Sequence, residues 1–269
     1  MTTKKQKWLI GELERVHLAI DDNLESWLSK VSQAYKHIAD TLVSEFHTMF
    51  DAYERGQVSE AVFRARYNTL IYQVQVRANE LGIEFSDGMK EKLKQFDKFS
   101  FKEHNKILEK LLEDKPRVSP VTFNALPTRQ IELVSGIKYE DYNFQSSIHK
   151  SGIRLGQKLN NVLQEGLAKG WDQRKYVKAI KETAEFTSYE AKRIARTETS
   201  RVATESAKRS FKEYGVTKVQ WRSSLEKRTC AVCAALNGKK YSPSYAPPLP
   251  RHPHCRCYLL PVEVDGEEI

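Results

Sequence analysis

In residues 21–56, DDNLESWLSKVSQAYKHIADTLVSEFHTMFDAYERG, the apolar positions are Leu24, Leu28, Val31, Tyr35, Ile38, Leu42, Phe46, Met49 and Tyr53. Steps of three and four put these side chains on one stripe of a helix. Gly56 fits a C-terminal cap for this helix, and Ser59 fits the N-cap of the next. A second stripe follows, with Phe63, Tyr67, Leu70, Val74, Ala78 and Leu81, and Gly82 reads as its close. Two long helices joined by a few residues form an antiparallel hairpin. A third, shorter helix is expected from near Ser86. The aromatic members of the stripes read as core packing, not as a ligand box.

The pattern fails over residues 113–136, which contain Pro116, Pro120 and Pro127 and keep no period. Proline ends helices and holds the residue before it extended, so a linker or irregular connection is expected here. Periodicity returns as a helix to about Leu167, a break at Gly170 and a helix led by Asp172. Thr187 or Ser188 is expected to cap a further helix that ends at Gly215. Beyond it, VTKVQWRSS alternates as a strand, with Val216, Val219 and Trp221 as apolar members. CYLLPVEV is a second strand candidate, and pairing of the two would close the base of the segment between them. The organisation expected is a helical region over 1–112, a connection over 113–136 and a C-terminal domain over 137–269. The fold class is mostly α: a long helical hairpin in the N-terminal region plus a small α+β C-terminal domain with a zinc-knuckle-like cysteine/histidine segment.

Charge refines this division. Residues 1–136 carry 20 Lys+Arg and 20 Asp+Glu, whereas residues 137–269 carry 24 and 15, the whole net charge of +9. Such asymmetry points to an acidic partner such as nucleic acid, with a solvated basic surface as the plain alternative. No apolar run approaches the roughly 20 residues of a membrane span, and the first residues, MTTKKQKWLIGELERV, do not develop a signal-type apolar stretch. A cytosolic site of synthesis and no membrane partner are expected.

All four cysteines lie in CAVCAALNGKKYSPSYAPPLPRHPHCRC, residues 230–257. Cys230 and Cys233 form C-x-x-C, whose tight turn brings two thiolates to one side, as in half of a tetrahedral zinc site. HPHCRC offers the other half, with His252, His254, Cys255 and Cys257. The set expected is Cys230, Cys233 and Cys255, completed by His252 or Cys257, around a structural zinc ion. Two disulfides, a redox pair, and unmetallated thiols that pack or hydrogen-bond are the alternatives. A cytosolic chain disfavours the first, and the lack of a thioredoxin-like βαβ context disfavours the second.

The order Ala195-Arg196-Thr197-Glu198-Thr199, Tyr214-Gly215-Val216, Trp221, Arg228-Thr229-Cys230 with Cys233, Leu236-Asn237-Gly238 and His252-Pro253-His254-Cys255-Arg256-Cys257 resembles the phage Mu F-like minor head proteins, also called head morphogenesis proteins. The resemblance covers about residues 137–262. The family often has an aspartate between the tryptophan and the first cysteine; here the nearest acid is Glu226. The resemblance implies a minor head (capsid) protein of a tailed phage, made in the host cytoplasm and present in few copies in the virion. It also implies association with the portal protein, with other capsid or scaffold components and with packaged double-stranded DNA. From charge, DNA binding through phosphates and without sequence preference is expected of residues 137–269 and not of residues 1–136. The rival class is a metal-dependent nuclease or toxin-like transferase built on the same C-terminal module.

On a helical wheel, Arg196 falls among Ala203, Ala207 and Tyr214, and a buried arginine requires a partner. Glu198 lies toward the edge of that face. Arg196 and Glu198 read as an internal structural clamp, with a catalytic pair as the weaker reading. Trp221 is counted with them as structural. There is no H-E-x-x-H, no phosphate-cradling glycine loop and no nucleophile motif nearby, so no catalytic residue is expected. The remaining charges of this helix mix both signs, and no nucleic-acid-binding residue is assigned.

Overall fold

A computed structural model describes residues 3–113, 144–223 and 229–269, with the backbone alone over 144–152. The long helical hairpin is its leading feature. Helix α1 spans Lys4–Glu54 and α2 spans Glu60–Leu111. Helix α1 begins earlier than its apolar stripe, because Thr3 and Gln6 form a reciprocal capping box: each side chain accepts the other's backbone N–H at 3.1 Å. Gly56 closes the helix with φ +68, and the Ser59 hydroxyl accepts from the Val62 N–H at 3.4 Å.

No third helix begins at Ser86; α2 runs through Gly82 without a break. Glycine inside a helix costs about 1 kcal/mol against alanine, which does not end a helix whose buried face continues. That face continues through Ala78, Phe85, Met89 and Leu93. The connection expected over 113–136 lies, from residue 114 on, outside the described residues.

Helix α3 covers Phe144–Lys169 and α4 covers Gln173–Glu213. Between them Gly170 takes φ +60, and Asp172 caps α4 by accepting the Lys175 N–H at 2.8 Å. Helix α4 does not restart at Thr187 or Ser188. The Thr187 hydroxyl donates back to the Thr183 carbonyl at 3.0 Å and the Ser188 hydroxyl to Ser32 Oγ at 3.1 Å, so neither serves as a cap. Among the described residues no helix is long and apolar enough to cross a membrane.

After Gly215, whose φ of +67 ends α4, come β1 (Val216–Arg222), the short helix α5 (Ala231–Leu236), β2 (Lys240–Tyr241), β3 (Tyr258–Val264) and β4 (Glu267–Glu268). They form one antiparallel sheet in the order β2-β1-β3-β4. Asp265 and Gly266, at φ 50 and 84, make the two-residue hairpin turn between β3 and β4 that an Asp-Gly pair favours.

The described residues form two compact units. The knuckle unit takes α1 as far as Leu24, α2 from Lys90, and everything from Ala195 onward. The hairpin unit takes Glu25–Met89 with α3 and α4 as far as Ile194. Its core joins Leu42, Phe46 and Phe50 to Phe63, Tyr67 and Leu70, to Leu155, Leu159 and Leu163, and to Tyr176 and Ile180.

Candidate metal centre

The sheet register explains how two distant sequence segments meet. Arg222 at the end of β1 pairs with Tyr258 at the start of β3. The end of β1 and the start of β3 therefore lie side by side, with Cys257 directly before Tyr258. Trp221, fully buried, lies opposite Leu259 and anchors this pairing.

Two further residues hold the first segment in place. The Ser223 hydroxyl donates to the Cys233 carbonyl at 2.7 Å, and the Ser223 N–H donates to Asn237 Oδ1 at 2.9 Å. Gly238, at φ +82, gives its N–H to the Trp221 carbonyl at 2.8 Å. The Asn-Gly step thus turns the chain from α5 into β2 while strapping α5 onto β1. Asn237 carried the sequence resemblance, but neither its role nor that of Ser223 was readable there, since both act through partners 14 and 10 residues away in sequence.

Five donors gather here in two overlapping groups. Cys230, Cys233 and His252 have their donor atoms within 4.8 Å of one another, as do Cys233, Cys255 and Cys257. Cys233 belongs to both. Its Sγ lies 3.3 Å from His252 Nε2 and 3.9 Å from Cys255 Sγ. Zinc–sulfur bonds of about 2.3 Å and zinc–nitrogen bonds of about 2.0 Å at tetrahedral angles require S···S of about 3.8 Å and S···N of about 3.5 Å. The donor chemistry and these spacings fit zinc. The sulfur separation exceeds the roughly 2.05 Å of a disulfide bond, and all four cysteines are free.

Local hydrogen bonds prepare the donors. His252 Nδ1 lies 2.8 Å from the Pro253 carbonyl, which only accepts, so Nδ1 carries the proton and Nε2 presents its lone pair to the cluster. Burial disfavours the charged ring, but this carbonyl and the neighbouring thiolates outweigh it and raise the His252 pKa. The Cys233 N–H, 3.4 Å from Cys230 Sγ, stabilises the Cys230 thiolate and lowers its pKa. The Cys257 thiol donates to Cys255 and, against burial, brings it down to about 5. That same bond, with burial, pushes Cys257 up. Burial foremost pushes Cys233 up to about 12. The Cys257 bond thus favours the thiolate at Cys255 and burial the neutral thiol at Cys233, and a metal bound by Cys233 would displace its proton.

The Arg-Thr-Glu part of α4 is arranged differently from the helical wheel. Arg196 is half-buried and engaged with neighbours. The buried arginine is Arg201, 8% exposed, and its Nη1 donates to Glu198 Oε2 at 3.1 Å, with Glu198 6% exposed. Burial pushes Glu198 up to about 7, against the pull of Arg201. The wheel could not single out Arg201 because this stretch is buried nearly all round, at Val202, Ala203, Thr204, Ser206, Ala207, Ser210 and Phe211.

Fold and site together define a class: a long-helix protein that ends in a small antiparallel sheet whose loops converge on a cysteine/histidine cluster. Residues 157–260 of this region match the family described as Phage Mu protein F like protein, to which the chain is similar over that stretch. An uncharacterized protein of Haemophilus influenzae is 24% identical over 162 residues, 59% of this chain and 33% of its own length. The match therefore spans about a third of that relative. No solved structure matches the chain.

Proposed function

We propose that the chain is a minor head component of a tailed phage, held in few copies at the portal vertex and associated with packaged DNA, with a structural zinc ion in its knuckle. The supporting observation is that the Mu F-like match, residues 157–260, takes in every donor of the cysteine/histidine cluster. It enters the procapsid from the host cytoplasm and contacts the portal protein and other capsid or scaffold components. Zinc is held by Cys230, Cys233 and Cys255, completed by His252 or Cys257. Catalytic zinc keeps a coordination position open for water. Five protein donors converging on four positions favour a closed, structural ion over the nuclease or transferase reading. Arg196, Glu198 and Trp221 serve the fold around it.

Quantitative mass spectrometry of purified particles, before and after DNA ejection, tests the head reading. The expected result is a few copies per portal. Absence from particles, or copies matching the major capsid protein, overturns it. Elemental analysis of protein purified without chelators is expected to give about one zinc per chain. A content near zero with all four thiols titratable overturns the zinc part.

A further inference from the structure

Helix α2 carries a pattern outside the family-matched region. From Lys90 to Lys110 a lysine recurs at every fourth residue: Lys90, Lys94, Lys98, Lys102, Lys106 and Lys110. Residues four apart stand on successive turns, about 6 Å apart along the axis and turned by about 40°, so Lys98 and Lys102 share a face while the ends of the row, Lys90 and Lys110, lie on opposite sides of the helix. Like charges at this spacing repel each other. Two members are neutralised locally, Lys94 by Glu91 at 2.6 Å and Lys106 by Glu103 at 2.7 Å. Lys98 and Lys102, in the middle, are exposed and have no ion-pair or hydrogen-bond partner among the described residues.

Helix α1 extends this surface. Within the knuckle unit the two helices run antiparallel: Lys92 Nζ donates to Asn23 at 3.1 Å, Arg15 meets Glu103 at 3.1 Å, and Lys110 sits over the Trp8 ring at 5.2 Å. That register sets exposed Lys4, Lys5 and Lys7 beside the Lys110 end of the ladder. These three also lack side-chain partners among the described residues. The stretches 1–24, 90–113 and 195–269 of the knuckle unit hold 24 Lys+Arg against 17 Asp+Glu, while 25–89 and 144–194 of the hairpin unit hold 16 against 14. The ridge is a local array and not a regional excess, since the stretches 1–24 and 90–113 hold 11 Lys+Arg against 9 Asp+Glu and most of the unit's surplus lies in 195–269.

We infer that the lysine ridge of α2, with Lys98 and Lys102 at its centre, is a docking surface for the phosphate backbone of duplex DNA. The inference rests on the reading that the chain works against packaged DNA. A polyanion relieves the repulsion along the ridge. A duplex offers a phosphate on each strand every 3.4 Å or so of axis, and the winding of the strand parts consecutive ones to about 6–7 Å, close to the rise between successive lysines. Lysine acts on phosphate as a point charge without geometric readout, so the interaction is indifferent to sequence.

Full-length protein is titrated with a labelled random-sequence duplex by fluorescence anisotropy at several salt concentrations. Lys98→Gln/Lys102→Gln is compared with wild type and with Lys30→Gln/Lys36→Gln, an exposed pair in the hairpin unit. Circular dichroism confirms that each variant folds. The ridge variant is expected to lower the slope of log K against log salt by about 1.8, at about 0.9 for each phosphate that is no longer neutralised, with the control unchanged. Lys4→Gln/Lys5→Gln/Lys7→Gln is expected to lower the slope as well. Equal slopes for ridge and control variants, with wild type binding DNA, overturn the ridge while leaving DNA association intact. Wild type that binds polyglutamate but no duplex at low salt overturns the DNA partner itself and makes the ridge a docking site for acidic protein. Membership of the head is read separately, from particle composition.

Discussion

Of the fourteen polar or charged residues buried among the described ones, eleven lie in the knuckle unit and only Thr187, Ser188 and Glu190 in the hairpin unit. The hairpin unit is held by aromatic packing. The Phe46 ring meets Phe50, Phe63, Tyr67 and Tyr176 with centroids 4.9 to 6.2 Å apart. In the knuckle unit, small polar residues let α2 and α4 approach closely. Ser100 donates to the Ala203 carbonyl at 3.1 Å, Ser206 to the Asp97 carbonyl at 2.9 Å and Ser210 to the Phe101 carbonyl at 3.4 Å. Arg209 pairs with fully buried Asp97 and covers the Phe101 ring at 4.8 Å. An apolar core tolerates many sequences; a polar one requires each buried group to find its partner. The knuckle unit is the one built to a fixed geometry.

The largest effect is expected at the cluster. Cys233→Ser should abolish zinc binding and cost more than about 4 kcal/mol, because metal binding to such sites is folding free energy. Cys233 is the one donor shared by both three-residue groups. Cys230→Ser should cost clearly less, since Cys230 is only partly buried and Cys233, His252, Cys255 and Cys257 remain. Denaturant unfolding with and without chelator measures both. Equal losses would show that the cluster is not centred on Cys233.

Next come two core substitutions, one in each unit. Phe46→Ala should cost about 3–5 kcal/mol as a cavity among aromatic rings. Arg209→Ala should cost a similar amount for a different reason: it takes the guanidinium away from the Asp97 carboxylate, which is 0% exposed. The effects should part when the charge is also removed. Arg209→Ala with Asp97→Asn should recover part of the loss, whereas no polar change should rescue Phe46→Ala. Thermal melts of the three variants decide. If the double variant is no better than Arg209→Ala alone, the buried charge is not what the arginine serves.

The same contrast decides what was legible in the sequence. The stripes of the hairpin unit, the breaks at Gly56, Gly170 and Gly215, and both long strands follow from period and punctuation, which are local properties. So does the gathering of cysteines and histidines in one segment. Illegible features depend on partners far along the chain. Gly82 and Ser86 look like a helix end until the buried face on either side is known. Ser188 looks like a cap until its hydroxyl is seen on Ser32. Arg196 looks buried on a wheel drawn for one face, whereas α4 is covered on several and buries Arg201 instead. The Thr3-Gln6 capping box and the Asp265-Gly266 turn were local and could have been read.

Acidity should act on the knuckle unit in a defined direction. His104, 3% exposed, donates through Nδ1 to the Ser100 carbonyl at 2.7 Å, and burial holds it down to about 4. Burial also lowers His17, although part of its surface reaches solvent. A histidine with a depressed folded pKa gives stability that is complete above its unfolded value of about 6.5 and is lost as pH falls toward 4. Glu198 opposes this. Its folded pKa is raised to about 7, so its contribution is complete below the unfolded value and is lost as pH rises through 7. Wild type should therefore lose stability on acidification from pH 6.5 to 4, partly offset by Glu198. Glu198→Gln should steepen that loss and His104→Asn should flatten it. Chemical denaturation at pH 7, 5.5 and 4 reads the slopes, and parallel wild-type and Glu198→Gln curves would exclude the carboxyl from the balance.

The smallest effects set two helical glycines against each other. Gly11, on α1 in the knuckle unit, has no atom within 4 Å of where a Cβ would stand. Gly11→Ala removes the conformational freedom of glycine from the unfolded chain and adds no clash, so it should stabilise by about 0.5–1 kcal/mol. Gly166, on α3 in the hairpin unit, faces the Tyr176 ring, which would lie 2.3 Å from the added carbon. That ring is in the aromatic core, 4.9 Å from Phe46. Gly166→Ala should therefore destabilise by about 1–3 kcal/mol despite the same gain in helix propensity. The opposite signs, read from midpoint shifts in one denaturant series, test whether a directional polar core leaves its outer helical turns freer than an aromatic one. Two stabilised variants would show that the Tyr176 ring can move, and that the hairpin core is looser than its rings suggest.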